Sequence, residues 1–600
     1  RGKELPYIEN LVNLVILEDP GDVPMKEVMR VLCPEGVAYV KLGGKWVKTV
    51  KARPKELDEW THYLHDSSNN PVSHDTVVGP LGRIQWIGSP RYGRHHDRMS
   101  SVSGAVSAGG RVFYIIDEAS PASILIPPKW RVVARDGFNG TVLWKRAIGK
   151  WHTHLWPLKS GPAQLPRRLV AVGGRVYVTL GLTDSVTALD AETGKTVRTY
   201  AATKGAEEIV LSDGILYVLV NRNATEPVFV DQEKIKHAYN DPFWDGKARY
   251  VVALRAADGE TLWESERVVL PMTLAALDGQ VYFHDGRSVV CLDGKTSDEV
   301  WRSDPIDRSE VIKSFYAPTL IVQKDVVLFS GGETAGGQTG SWYEKGKDTL
   351  TAMSAKTGKV LWQGYHPPSG YRSPEDTFVV NDLVWTGETT SGRAVGVFSA
   401  RDVHSGKVMC EFPPDVETYW FHHRCYRGKA TDKYLLTSRT GTEFIDVESH
   451  EWTPHHWARG ACLYGVMPAN GLMYNPPHPC ACYLESKMYG FNALAPKATK
   501  HAPKAVAADR RLEKGPAYGQ SIRAREGEGD WPMYRRDEGR SGSTRARIST
   551  ALEPAWQASI GGKLTSPVIA GGRLFVASVD DHTVHAVDAG SGRRLWDYTA

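Results

Sequence analysis

Long apolar runs are missing from this 600-residue sequence. No stretch of about 18 apolar residues occurs, so no segment reads as a membrane-spanning helix. An excess of one charge is missing too. Seventy-three Lys and Arg stand against 69 Asp and Glu, a net charge of +4, which implies neither a nucleic acid nor an anionic membrane as partner. Cysteine is scarce: seven residues do not make a disulfide scaffold, and the odd count leaves at least one thiol unpaired within the chain. There is no initiating Met. The sequence runs from Arg1 to Ala600, which reads as a piece of a longer chain and carries no information on a signal peptide.

What is present is a repeat. Gly140, Gly194, Gly259, Gly358, Gly406 and Gly592 share one frame, with Ser297 in the glycine's place in a seventh copy. Six residues earlier stand Ala134, Ala188, Ala253, Ala352, Ala400 and Ala586, or Cys291. Four earlier stand Asp136, Asp190, Asp293, Asp402 and Asp588, with Arg255 and Ser354 departing. Four later stand Trp144, Trp263, Trp301, Trp362 and Trp596, with Arg198 and Cys410 departing. The residues on both sides alternate as strands. Asp caps the turn, Gly supplies the positive φ of the hairpin, and the flat Trp wedges between neighbouring units with a small Ala leaving it room.

A second hairpin signal precedes each frame, as in Gly109-Gly110-Arg111-Val112-Phe113 and Asp213-Gly214-Ile215-Leu216-Tyr217. Eight copies fall before residue 500, and a ninth, Gly571-Gly572-Arg573-Leu574-Phe575, follows a linker. The fold expected is mainly β: an eight-bladed β-propeller over 83–497, with the strand around Trp86 serving as the outer strand of the last blade. Blades seven and eight lack the Trp frame of the others.

The Ala-x-Asp-x-x-x-Gly-x-x-x-Trp frame resembles the PQQ-repeat family of quinoprotein-alcohol-dehydrogenase-like propellers. Residues 529–600 resemble the first blade of a second such propeller, after a linker at 498–528. At the other end, Leu11–Leu17, the helix expected at Val23–Leu32 and the strand Val37–Val40 read as a small α/β unit. The string EVMRVLCPEGVAYV resembles the late part of a class I S-adenosylmethionine methyltransferase, so 1–50 reads as the C-terminal remnant of such a domain. The glycine-rich cofactor turn of that family is absent from this sequence. Residues 51–82 read as a connector, with a short helix over Glu56–Leu64 docking the first domain on the propeller. The arrangement, with WTHYLH near Trp60 and the closing GACLYGVMPANGLMYNPPHPCACY, resembles large multidomain bacterial proteins that look exported. The resemblance therefore implies a periplasmic or otherwise extracytoplasmic location.

Propellers act at the channel mouth, where loops converge. One cluster of candidates there is Arg94, His95, His96, Asp97 and Arg98. A second is His422, His423, Arg424 and Cys425 with Lys429 and Arg439. A third, Cys462, His478, Cys480 and Cys482, has the ligand number of a tetrahedral metal site, although a disulfide from Cys462 or inert buried thiols fit the same residues. A fourth, smaller group is His152, His154 and Lys159 between Trp151 and Trp156. The resemblance implies PQQ with calcium, a covering ring of two adjacent cysteines and a carboxylate base. Asp97 would serve as base and Arg94 or Arg98 as electrophile. This sequence has no adjacent cysteines and no recognisable calcium set. Two functions follow: a binding or scaffold propeller with a protein or small-molecule ligand at its mouth, or a quinone- or metal-dependent oxidoreductase at the same place. Methyl transfer would need the absent cofactor turn.

Overall fold

The computed structural model describes residues 3–96, 98–159, 161–225, 243–310, 312, 314, 318–331, 350–366, 376–387, 397–413, 426–438, 441–478, 487–497, 518, 527 and 529–599. The chain divides into two compact units, 1–497 and 498–600.

The first unit is a β-propeller. Each blade is a four-strand antiparallel meander, as in Val102–Ala108, Arg111–Asp117, Trp130–Asp136 and Val142–Ala147. Seven such meanders follow one another, the last gaining the short strand Val72–Ser73 at its inner edge. The next sheet joins the two ends of the repeat region. Met467–Ala469, Leu472–Asn475 and Phe491–Pro496 are completed by Leu81–Gly88, the Trp86 strand. The innermost strand Met467–Ala469 lies beside Val102–Ala108, which brings the last blade against the first.

The repeat positions act as their chemistry dictates. Ala134 pairs across strands with Trp144, Ala253 with Trp263, Cys291 with Trp301 and Ala352 with Trp362. A small residue is needed there because the indole covers it. Each ring then reaches the next blade. Trp144 Nε1 donates to the Ala191 carbonyl at 3.0 Å, and a Cβ on Gly194 would stand 2.5 Å from that ring. Trp301 and Trp362 meet Gly358 and Gly406 in the same way. Asp136 Oδ1 accepts the Phe138 and Asn139 N–H groups, capping the turn. Ser297 holds φ +67° in the glycine's place.

Blade seven departs less from the frame than its sequence suggests. Asp446 caps the turn, His450 takes φ +61° at the glycine position, and the buried Trp452 lies two residues later instead of four. Blade eight regains the Ala–Trp pair between Ala493 and Trp86.

At the N-terminus, Val12–Leu17 and Leu32–Leu42 run parallel, Lys45–Val50 adds an antiparallel strand, and the helix Met25–Val31 covers one face. The strand expected at Val37 starts earlier, at Leu32; across Cys33-Pro34-Glu35-Gly36 its register against Val12–Leu17 shifts, with Glu35 at φ +66°.

The connector corrects the expectation more deeply. No helix forms at Glu56–Leu64. The apolar residues whose spacing suggested a helix, Trp60 and Leu64, are buried because the segment enters the end of the propeller channel.

The second unit contains one four-strand sheet, Val568–Ala570, Arg573–Ser578, Thr583–Asp588 and Arg594–Thr599. Its core is thin, with Trp596 47% exposed. Trp556 lies on Gly592 and donates to Ala589 O at 2.9 Å, the contact that Trp86 makes in the first unit.

Candidate functional site

Residues 58–75 form a strap around one end of the channel. Eight backbone N–H groups, one at the end of each blade's innermost strand, donate to it. Asn470 donates to the Asp58 carbonyl, Ser107 to Trp60 O, Ala171 to Thr61 O and Leu211 to His62 Nε2, at 2.7–3.0 Å. The circuit continues with Ala276 to Ser67 O, Val322 to Ser68 O, Val379 to Asn70 Oδ1 and Ala430 to Pro71 O, at 2.8–3.0 Å. The order along the strap is the order of the sheets along the chain, beginning with the sheet that Leu81–Gly88 completes. Asp75 then returns to that sheet by accepting the Gly471 N–H at 2.7 Å. These donors sit at the inner rim, where a β-strand edge would otherwise leave them unpaired, and the strap satisfies them.

Inside this floor the channel is polar. Glu208, fully buried, accepts Arg167 Nε at 2.8 Å, Gln164 Nε2 at 2.6 Å and the Met272 N–H at 2.7 Å. Arg167 also holds Asn69 Oδ1 and the Leu274 carbonyl. Arg427 donates to Thr319 Oγ1 at 2.7 Å. Lys429 is 1% exposed. Its Nζ donates to the carbonyls of Tyr464 and Val466 and lies 3.7 Å from the Tyr464 ring centroid and 5.1 Å from that of Trp60. Burial, with Arg427 nearby, holds the Lys429 ammonium well below its ordinary pKa. The strap carries its own charge cluster. His65 bonds Asp58 at 2.7 Å and Asp66 at 3.2 Å. Burial opposes its charge, but the two carboxylates outweigh burial and raise it to about 9.

The structure brings together two of the clusters singled out from the sequence. His96 Nε2 is 3.1 Å from Lys159 Nζ, and the Met99 N–H donates to Trp156 O. Arg94 is buried against Asp117 at 2.9 Å and holds the Ser123 and Ile126 carbonyls. His154 bonds the Ile124 carbonyl at 2.7 Å, and burial lowers its pKa. His152 lies edge-on to Trp156, and burial pushes it down to about 4. These neutral histidines fit hydrogen bonding better than charge. His95 and Arg98 are half-buried on the same segment.

Lys429 lies beside the strap, where its contacts among the described residues include Trp60, Tyr63, Tyr464 and Val466. Cys462 and His478 are buried in the loops of blade eight. Asp97, His422, His423, Arg424, Cys425, Arg439, Cys480 and Cys482 lie outside the described residues. Among the described residues no group of three or more His, Cys, Asp or Glu could hold a metal ion. Glu208 is taken by Arg167 at 2.8 Å.

Sequence reasoning missed Asn69, Asn70, Arg167 and Glu208. The one available signal was the polar and aromatic density of WTHYLHDSSNN, too rich for a linker.

No curated protein matches the sequence. Among solved structures, BamB from Moraxella catarrhalis is similar at 12% identity, covering 66% of this chain and 97% of its own, with a TM-score of 0.35. The quinohemoprotein alcohol dehydrogenase of Comamonas testosteroni is similar at 13% identity, over 90% and 73%, with a TM-score of 0.26. The Neurospora crassa Pan2 WD40 domain is similar at 11%, over 62% and 93%, with a TM-score of 0.34. A family model for PQQ repeats, described as outer membrane protein assembly factor BamB, matches residues 128–236, 247–411 and 539–600. Matched over more than half of its length, the chain belongs to this PQQ-repeat family.

Proposed function

We propose that this chain is an extracytoplasmic binding or scaffold module, with residues 83–497 as one eight-bladed ring and no chemistry of its own. The observation that carries this reading is the engagement of the channel's charged groups. Arg167 with Glu208, Arg427 with Thr319, and Lys429 with two carbonyls all fasten the strap or the blades. A substrate would have to displace contacts that hold the ring. Membership of a family described by an assembly factor supports an interaction role. The partner is a protein or small molecule at the end of the channel opposite the strap. Residues 1–50 fit a methyltransferase-like remnant, since their parallel strands and single helix make a β–α–β unit. Residues 529–600 fit the opening blade of a second propeller.

A second reading, a quinone- or metal-dependent oxidoreductase, is favoured by the gathering of His96, Lys159, His152 and His154 on blade one. One experiment separates the two. Under the scaffold reading, PQQ with calcium leaves the thermal midpoint of the purified chain unchanged and no quinone absorbance is retained after gel filtration. Stoichiometric retention of the quinone with a raised midpoint overturns it.

A further inference from the structure

The N-terminal sheet is covered on one face only. Val15, Leu17, Leu32, Ala38 and Val40 pack against Val28 of the helix Met25–Val31. Pleating sends the alternate residues to the other side. The register places Leu14 beside Val37, Ile16 beside Tyr39, and Val37 beside Val50 on that face. Leu14 is 51% exposed, Ile16 60%, Tyr39 37%, Trp46 47% and Val50 52%. Parallel strand pairs are ordinarily buried on both faces, and contiguous apolar patches of this kind mark interaction sites.

The polar residues of the face give the sign of what covers it. Lys48 stands opposite Tyr39, and Lys41 stands opposite Trp46 with its ammonium 6.0 Å from the indole centroid. Both lysines are exposed, and the one carboxylate on the outward positions of these strands, Glu35, stands at the opposite end of its strand from Lys41. A six-residue strand is about 20 Å long, the length of an α-helix of about 13 residues. We propose that this face is a docking surface for an amphipathic α-helix whose apolar stripe is flanked by acidic side chains. The apolar stripe covers Leu14, Ile16 and Tyr39, and the acids meet Lys41 and Lys48. The surface is independent of the propeller channel and of the function proposed for it.

The test uses the whole chain and two labelled synthetic helical peptides of about 14 residues. Both carry leucines at i, i+3, i+4 and i+7, one flanked by Glu and the other by Lys. Fluorescence anisotropy is expected to show binding of the Glu-flanked peptide, weakened by salt and at least about tenfold tighter than that of the Lys-flanked one. Ile16→Glu is expected to weaken it about tenfold or more with an unchanged thermal midpoint. The double variant Lys41→Glu with Lys48→Glu is expected to invert the preference. No binding of the Glu-flanked peptide at about 1 mM overturns the proposal. So does equal binding of both peptides, or binding that survives Ile16→Glu. Self-association in sedimentation velocity that Ile16→Glu abolishes also overturns it, because the occupant would then be a second copy.

Discussion

Trp86 rests on Gly140. The indole Nε1 donates to the Gly137 carbonyl at 2.8 Å, and a Cβ added at Gly140 would stand 2.6 Å from the ring. Trp86 precedes the first blade in sequence yet performs for the eighth the task that Trp144 performs for the first. The contact therefore joins the two ends of the ring.

Loss of that ring should weaken closure. Trp86→Ala is expected to cost about 3–5 kcal/mol in denaturant unfolding, the range for a buried Trp. Gly140→Ala should also destabilise, because φ is +76° and the new methyl meets the indole. Gly174→Ala, with nothing within 4 Å of its Cβ position, is the control and should leave stability nearly unchanged.

Asn70 tests the strap. Its amide donates to Val379 O at 2.9 Å and accepts the Val379 N–H at 3.0 Å. Asn70→Asp keeps the acceptor and sets a carboxylate oxygen against a carbonyl. A loss of about 1–3 kcal/mol or more is expected in equilibrium unfolding. An unchanged midpoint would mean that the strap does not bear on stability.

Glu208→Gln leaves Arg167 buried without a counter-charge. Breaking one side of a buried pair costs about 3–5 kcal/mol. The same loss should not appear in the double variant Glu208→Gln with Arg167→Met, measured by a double-mutant cycle.

The strap should also respond to pH. His65 is raised to about 9, so its contribution is fully present below the ordinary histidine value of 6.5 and lost as pH rises through about 9. Burial raises the Asp58 carboxyl, but its bond to His65 outweighs that and lowers it to about 2. Its contribution is present above 3.8 and lost as pH falls through about 2. Stability from these two groups is therefore expected to be flat between about pH 3.8 and 6.5 and to fall by a few kcal/mol from neutral pH toward 10. His65→Gln should remove that alkaline slope in unfolding measured at pH 6, 8 and 10.

Much of the propeller was legible because the blade is a local object. Ala134, Asp136, Gly140 and Trp144 lie within eleven residues and make one hairpin, so spacing alone carries their roles. His450 was missed as a turn residue because a positive φ was sought in glycine. The strap was illegible for a different reason. Its partners run from Ser107 to Asn470, one per blade, and such pairing leaves no period in the sequence. The apolar spacing of Leu57, Trp60 and Leu64 reads as a helix because burial in a channel and burial on a helix face leave the same apolar marks. At the rim, the segment Arg94–Arg98 and the group around His152 were each visible, but their meeting through His96 and Lys159 depends on the loop between two blades.

The strap has a set number of stations. Asp58, Trp60, Thr61, His62, Ser67, Ser68, Asn70 and Pro71 each serve one blade, in order, and Asp75 returns to the start. A segment outside the repeat thus works as a drawstring, tying inner edges that are far apart in sequence into one hydrogen-bonded circuit.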